Sequence, residues 1–293
     1  MIENRLPLTR RDFVKGTLGT TVGAATLGAA RGGTQTQAAR SSRVIVVRDA
    51  NSLSERNQVN AAVLRKILDD VLVRSTNKSS AKDAWAALVK ASDVIGLVPT
   101  DHLNRTHQEL IDAVRESLIE AGIPKSNIRT AQGRSDQPKA CTALIALPAL
   151  KAHWLTGIGT VLKNYICYSD NPEAYHGENN AKLGEIWNLP YVKGKTRLVI
   201  VDALRPLCDK GPQPDPRYMW PYKGLIAGSD PVAVETVCLR IITKKRDQLR
   251  GEPWPLSPPP LCVTAADARY GLGTSKMEEI KIEHFGWDAE RLV

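Results

Sequence analysis

At 293 residues, with 42% hydrophobic and 24% charged side chains, the chain is long enough to bury a substantial core and too apolar to be disordered as a whole. The first forty residues hold six of the 40 Lys and Arg and two of the 31 Asp and Glu, so the remainder carries 34 against 29 and the formal +9 falls to +5. That bias is mild, the basic residues are scattered apart from Lys244, Lys245 and Arg246, and no aromatic-basic stripe is present, so nucleic acid is not an expected partner.

Residues 1–40 read as an export signal and linker, and residues 41–293 as one α/β domain. Thr9-Arg10-Arg11-Asp12-Phe13-Val14-Lys15 precedes a weakly apolar run, Gly16 to Ala30, that is too short and glycine-rich to anchor the chain stably across a bilayer. The paired arginines followed by Phe13 and Lys15 resemble a twin-arginine (Tat) signal. The resemblance implies the Tat export machinery as a partner, a periplasmic or extracellular location, and export of a protein already folded, often with a cofactor inserted. Cleavage after Ala29, Ala30, Ala38 or Ala39 fits the sequence equally.

Arg43 to Val47 reads as a first strand, with continuous β-branched residues from Val44 to Val47 as in a sheet covered on both faces. Val59, Val63, Ile67 and Val71, with Leu64, Leu68 and Leu72 beside them, predict a helix. After the polar turn Ser75 to Ser80, a short helix over Ala81 to Lys90 leads into a strand from Asp93 to Val98. Thr106 and Glu109 form a capping-box pattern ahead of a helix whose buried face is Leu110, Ile111, Val114 and Leu118, and Gly122 and Pro124 end it. Ile128 to Ala131 and Leu144 to Leu147 follow as strands. The alternation predicts a layered, largely parallel α/β sheet with helices on both faces.

The run from Lys151, KAHWLTGIGTVLKN, is the stretch around which a site is expected. It follows an apolar strand ended by Pro148, and ligands of open α/β sheets bind at the carboxyl ends of strands. It supplies an imidazole at His153, glycines at Gly157 and Gly159, an ammonium at Lys163 and an amide at Asn164. The glycines, placed at a helix start, would let backbone amides approach an anion, although glycine in a plain turn explains them equally. A long polar segment from Ser169 to Lys182 carries Tyr175 and His176 and reads as a binding loop.

Arg197 to Val201 is the next strand, ending at Asp202, where a carboxylate can join a site or begin a turn. Asp230-Pro231 opens a helix over Val232 to Ile242, a favoured cap and first position. Glu235 lies one turn in, facing either the cleft or water. Glu252 to Pro260 holds five prolines and is expected to be an extended surface loop. A short helix, Gly271-Leu272-Gly273 and a strand from Ile280 to Glu283 close the chain. His102 and His107 are expected to be surface groups, and His284 has no assigned role.

The five cysteines, at 141, 167, 208, 238 and 262, form no CxxC pair, so no iron-sulfur or zinc-ribbon motif is encoded locally. Their odd number leaves at least one thiol unpaired in a monomer, and buried single cysteines are the default.

KAHWLTGIGTVLKN, LVIVDAL, GLIAGSDPVAVETV and YGLG, in that order over most of residues 43–285, resemble the family called domain of unknown function 362 (DUF362). Two departures stand out: Glu235 where the family usually has Asp, and Leu97-Val98-Pro99 without the lysine often found there. The ferredoxin-like cysteine cluster of many relatives is absent. A more distant similarity joins the chain to nickel-pincer lactate racemases, in which a histidine precedes by ten positions the lysine that carries the pincer cofactor. Here His153 and Lys163 are ten apart and His176 lies thirteen further on.

These readings make His153 and Lys163 the candidate catalytic residues and His153 with His176 the candidate metal ligands. Lys163, Asn164, Gly157, Gly159, Asp202 and Asp230 are the candidate cofactor-binding residues, for a metal or a pincer-like group. His153 suits a general base or ligand, and Lys163 a covalent anchor or anion contact. The expected function is an exported enzyme or cofactor carrier that acts on a small anionic metabolite by acid-base or redox chemistry. The alternatives are a non-catalytic ligand or metal binder using the same cleft, and a structural protein. For Asp230 a helix cap is the simpler reading.

Overall fold

The computed structural model describes residues 41–293, so the export-signal reading and its cleavage positions lie outside the described residues. The strands are β1 (Ser42–Arg48), β2 (Ile95–Pro99), β3 (Ile128–Thr130), β4 (Ala143–Leu147), β5 (Ala149–His153), β6 (Gly157–Ile158), β7 (Thr196–Leu207), β8 (Gly224–Gly228) and β9 (Ile280–Gly286). They join in one sheet of order β3-β2-β4-β7-β8-β1-β9, with β5 paired to β7 and β6 to β5. Five pairings are parallel and three antiparallel, so the sheet is mostly parallel.

Alternate side chains of each central strand enter two cores. Val44, Val46, Leu144, Ala146, Val199 and Val201 face one layer, and Ile45, Val47, Ile145, Leu147, Leu198 and Ile200 the other. This is the two-residue period of a sheet buried on both sides, and it explains why the sequence shows unbroken apolar runs instead of alternation. The second layer is closed by α1 (Ala61–Thr76), α2 (Ala81–Leu88) and α3 (Gln108–Glu120). Between them Trp85 is fully buried and its indole N–H donates to Ser117 Oγ at 2.9 Å. The short helices α4 (Asp136–Lys139) and α5 (Leu183–Trp187) follow in the chain; α5, α6 (Pro231–Arg250) and α7 (Leu261–Ala268) cover the first layer.

Several expectations need correction. Glu109 and Thr106 form no capping box: α3 starts after His107 without a side-chain cap, and Thr106 Oγ1 instead donates to Leu147 O and accepts from the Thr100 amide. β7 does not end at Asp202 but runs to Leu207, because β5 resumes the pairing beyond Pro148 with Ala149 opposite Asp202 and Lys151 opposite Leu207. Gly157 and Gly159 do not start a helix. Gly157 lies in β6, the return strand of a hairpin with β5, and Gly159 follows it.

Arg246, in the basic run of α6, is buried and not part of a surface patch. Its guanidinium pairs with Asp209 and donates to the carbonyls of Cys208, Trp254 and Pro255, tying the proline-rich loop to the helix. All five cysteines are free thiols, four buried and Cys167 exposed. Among the described residues no helix is long and apolar enough to cross a membrane.

Candidate functional site

A cleft of about 420 Å³ opens beyond the carboxyl ends of β2 and β5. One wall is the loop Pro99 to Leu103, another is β5 with the following Trp154 and Leu155, and the third is a 3-10 helix, Leu162–Tyr168, with His176 beyond it. Three residues per turn sort that helix cleanly. Leu162, Tyr165 and Tyr168 point into the core, where Tyr165 stacks on Trp187 with ring centroids 4.3 Å apart, while Lys163, Asn164, Ile166 and Cys167 line the cleft.

Lys163 and His176 meet there. Nδ1–H of His176 donates to the Pro172 carbonyl at 3.1 Å, which leaves the Nε2 lone pair to accept from Lys163 Nζ at 2.7 Å. Burial pushes the Lys163 pKa down to about 8. Burial, and then the Lys163 charge, lower that of His176. Lys163 forms no ion pair among the described residues. Its ammonium is therefore held by a neutral imidazole alone.

His153 stands across from this pair, its ring centroid 6.1 Å from that of His176. Its Nδ1 accepts the Leu155 amide at 3.2 Å, so the neutral ring carries its proton on Nε2. Burial, with Lys163 and His176 nearby, depresses its pKa to about 3. The imidazole packs against Gly159, where an added Cβ would lie 3.0 Å from the His153 Cβ and 3.2 Å from its Cδ2. Gly159 thus makes room for the imidazole, and its N–H is bound to Lys151 O at 3.0 Å, unavailable to an anion. Gly157, at φ +74°, abuts the Pro258 carbonyl outside the cleft.

Lys151 is the residue that sequence reasoning passed over, although it was quoted in the motif. It sits two positions before His153 on β5, hence on the same face of the strand. Its buried Nζ donates to the carbonyls of His102, Leu103 and Asn104 at 3.2, 2.6 and 3.3 Å, holding the wall of the cleft in place. Leu103 and Asn104 both have φ +45°, and the lysine anchors this left-handed turn. Burial and then Lys163 bring its pKa down to about 7. His102, expected at the surface, lies at the exposed mouth of the cleft.

The other predicted site residues lie elsewhere or do other work. Asn164 lines the cleft, but its amide donates to Val98 O at 2.7 Å and accepts from Thr100 Oγ1 at 3.0 Å, pinning the 3-10 helix to the end of β2. Asp202 does not line the cleft. Its Oδ2 accepts both the backbone N–H and Nδ1 of His107 at 2.7 Å, and its Oδ1 accepts the Leu204 amide. His107 is therefore not the free surface group expected; burial lowers its pKa, but the hydrogen bond and the charge of Asp202 together with the charge of Glu109 outweigh this and the net shift is upward.

Asp230 caps α6 by accepting the amides of Val232 and Ala233 at 2.9 Å, and also takes Ser42 Oγ and the Thr274 amide. The late glycine motif belongs to this cap, since a Cβ on Gly273 would fall 1.8 Å from Asp230 Oδ1. Glu235 faces neither cleft nor water. It is fully buried, accepts the Val161 amide at 2.5 Å, and burial raises its pKa to about 8.

A metal held by His153 and His176 does not fit these donors. The His153 lone pair is engaged by the Leu155 amide and that of His176 by Lys163, so neither imidazole offers a free one. Among the described residues no group of three or more His, Cys, Asp or Glu is placed to hold a metal ion. What the cleft does offer is an N–H at His153, an ammonium at Lys163, apolar walls from Pro99, Leu155, Ile166 and Pro212, and, in the same lining, the exposed Asp101 carboxylate and the Gln213 amide.

No curated protein and no solved structure matches the chain. Residues 100–240 match the family described as Domain of unknown function (DUF362), a span narrower than the resemblance over residues 43–285 and one that leaves out the Gly271-Leu272-Gly273 turn. Over the segment that supplies His153, Lys163 and His176, the chain is similar to that domain of unknown function.

Proposed function

We propose that this protein is an exported enzyme that binds a small anionic metabolite in the cleft and acts on it by acid-base chemistry. The observation that carries the reading is the Lys163 ammonium, bound at 2.7 Å to a neutral His176 and, among the described residues, to no carboxylate. A charge buried this far is undersolvated, and an anion that enters supplies the missing partner. Water excluded from the cleft strengthens that attraction.

In this reading His153 presents its Nε2–H to a substrate oxygen and acts as a hydrogen-bond donor in its neutral form, because its depressed pKa keeps it unprotonated at neutral pH. Lys163 and His176 share the mobile proton. With the Lys163 pKa near 8, the pair can give or take a proton close to neutrality, where such catalysis is most effective. Lys151 and Asn164 keep the walls in register and are positioning residues. Export rests on Arg10, Arg11, Phe13 and Lys15.

Calorimetric titration with a panel of small carboxylates and phosphates tests the binding step. At least one anion should bind the wild-type protein and lose at least tenfold in affinity with Lys163→Met. Equal affinity for both proteins, or no binding by any anion, would overturn the reading.

A further inference from the structure

We propose that Lys163 forms an imine with the carbonyl carbon of a small 2-oxo acid that has an apolar side chain. This deepens the anion-binding reading and rests on it. Three features of the cleft meet the needs of that chemistry. The amine is buried in the cleft wall with no ion pair among the described residues to hold its proton, the condition that makes a lysine nucleophilic. A base is already in contact with it, because His176 Nε2 accepts from Nζ while Nδ1–H is fixed on Pro172 O. An N–H donor, His153 Nε2, stands opposite, and the ring is held in place by Leu155 and Gly159.

A 2-oxo acid answers each feature with its own atoms. The carboxylate, one bond from the carbonyl, brings negative charge next to Lys163 and His153, and the side chain has Leu155, Ile166 and Pro212 to pack on. A simple carboxylate would satisfy the charge but leave the amine-base pair without a carbon to attack.

The step balances without oxidant or reductant. The Lys163 ammonium passes a proton to His176 Nε2, and the freed lone pair forms the C–N bond as the carbonyl π electrons move to oxygen. His153 donates a hydrogen bond to that oxygen, which takes up one proton from His176 and one from the nitrogen. The C–O bond then breaks, water leaves, and the nitrogen lone pair closes the C=N bond. Ammonium plus ketone becomes protonated imine plus water, with one positive charge on each side.

The test is reductive trapping on the full chain. The protein is incubated with pyruvate or 4-methyl-2-oxopentanoate and cyanoborohydride, followed by intact mass and peptide mapping, with calorimetry of the same acids in parallel. One adduct should form, of the mass of the acid less water plus two hydrogens, on the peptide containing Lys163. It should be absent in Lys163→Met, and trapping should slow by about a hundredfold in His176→Gln, the scale of a lost general base. Thermal melting shows that both variants are folded. If an acid binds by calorimetry but no adduct forms, or the adduct persists in Lys163→Met, the imine is overturned while the anion-binding reading stands. If neither acid binds nor is trapped, the imine falls, and the anion-binding reading falls with it when the carboxylate and phosphate panel also fails to bind.

Discussion

The residues that the sequence marks for function divide into two regions with opposite chemistry. Asp202, Asp230 and Glu235 sit inside the scaffold, where their oxygens accept backbone amides or a neighbouring side chain; Asp230 alone takes four donors. His153, Lys163 and His176 line the cleft, where among the described residues the His153 Nε2–H has no hydrogen-bond partner and the lysine has only a neutral one. The acidic motif residues build the frame and the basic ones remain available. A carboxylate such as Asp230, held by four fixed donors, stabilises one backbone arrangement, whereas an undersolvated cation stabilises whatever anion comes to it.

The largest effect should come from breaking the frame. Asp230→Ala removes the acceptor for two first-turn amides of α6, for Ser42 and for the turn at Thr274, and should cost about 3 kcal/mol in urea denaturation. A loss below about 1 kcal/mol would show that the cap carries little of the fold.

Glu235→Gln sharpens the comparison through pH. The folded pKa of Glu235 is raised from 4.5 to about 8, so its contribution is fully present below 4.5 and is lost as pH rises toward 8. In that window each pH unit costs about 1.4 kcal/mol for a full proton difference, and the glutamine variant should show a flatter stability profile. An unchanged slope between pH 4.5 and 8 would mean that Glu235 is ionised in the fold.

Lys163→Met should cost the fold the least of these changes while weakening anion binding at least tenfold. The folded pKa is lowered from 10.5 to about 8, so the ammonium destabilises the native state, fully so below pH 8. Its removal should leave stability at pH 7 unchanged or higher, and a loss above about 3 kcal/mol would place Lys163 with the frame.

How much of this could be read from the sequence follows from the range of each interaction. The strands at Arg43, Leu144 and Arg197 and the Asp230-Pro231 helix start were legible because burial and capping are written in adjacent residues. The cluster of His153, Lys163 and Asn164 was marked by the motif, but His176 joins it only through a loop whose path no local pattern dictates. Asp202 looked like a strand end because Pro148 hid the continuation of the sheet into β5, which then carries β7 on to Leu207. The glycines looked like an anion cradle because their actual need, contact with the His153 ring and with Pro258, comes from residues four or more positions away. Lys151 was overlooked because its partners are three carbonyls, which carry no signature in side-chain identity.

The most direct test of the division between frame and cleft is nitrogen-proton NMR of the imidazoles during titration with pyruvate near neutral pH. The account predicts that His153, with its proton on Nε2, and His176, with its proton on Nδ1, shift together as the anion enters, while His107, bound to Asp202, stays fixed. Movement of His107 with His153 and His176 unmoved would contradict it.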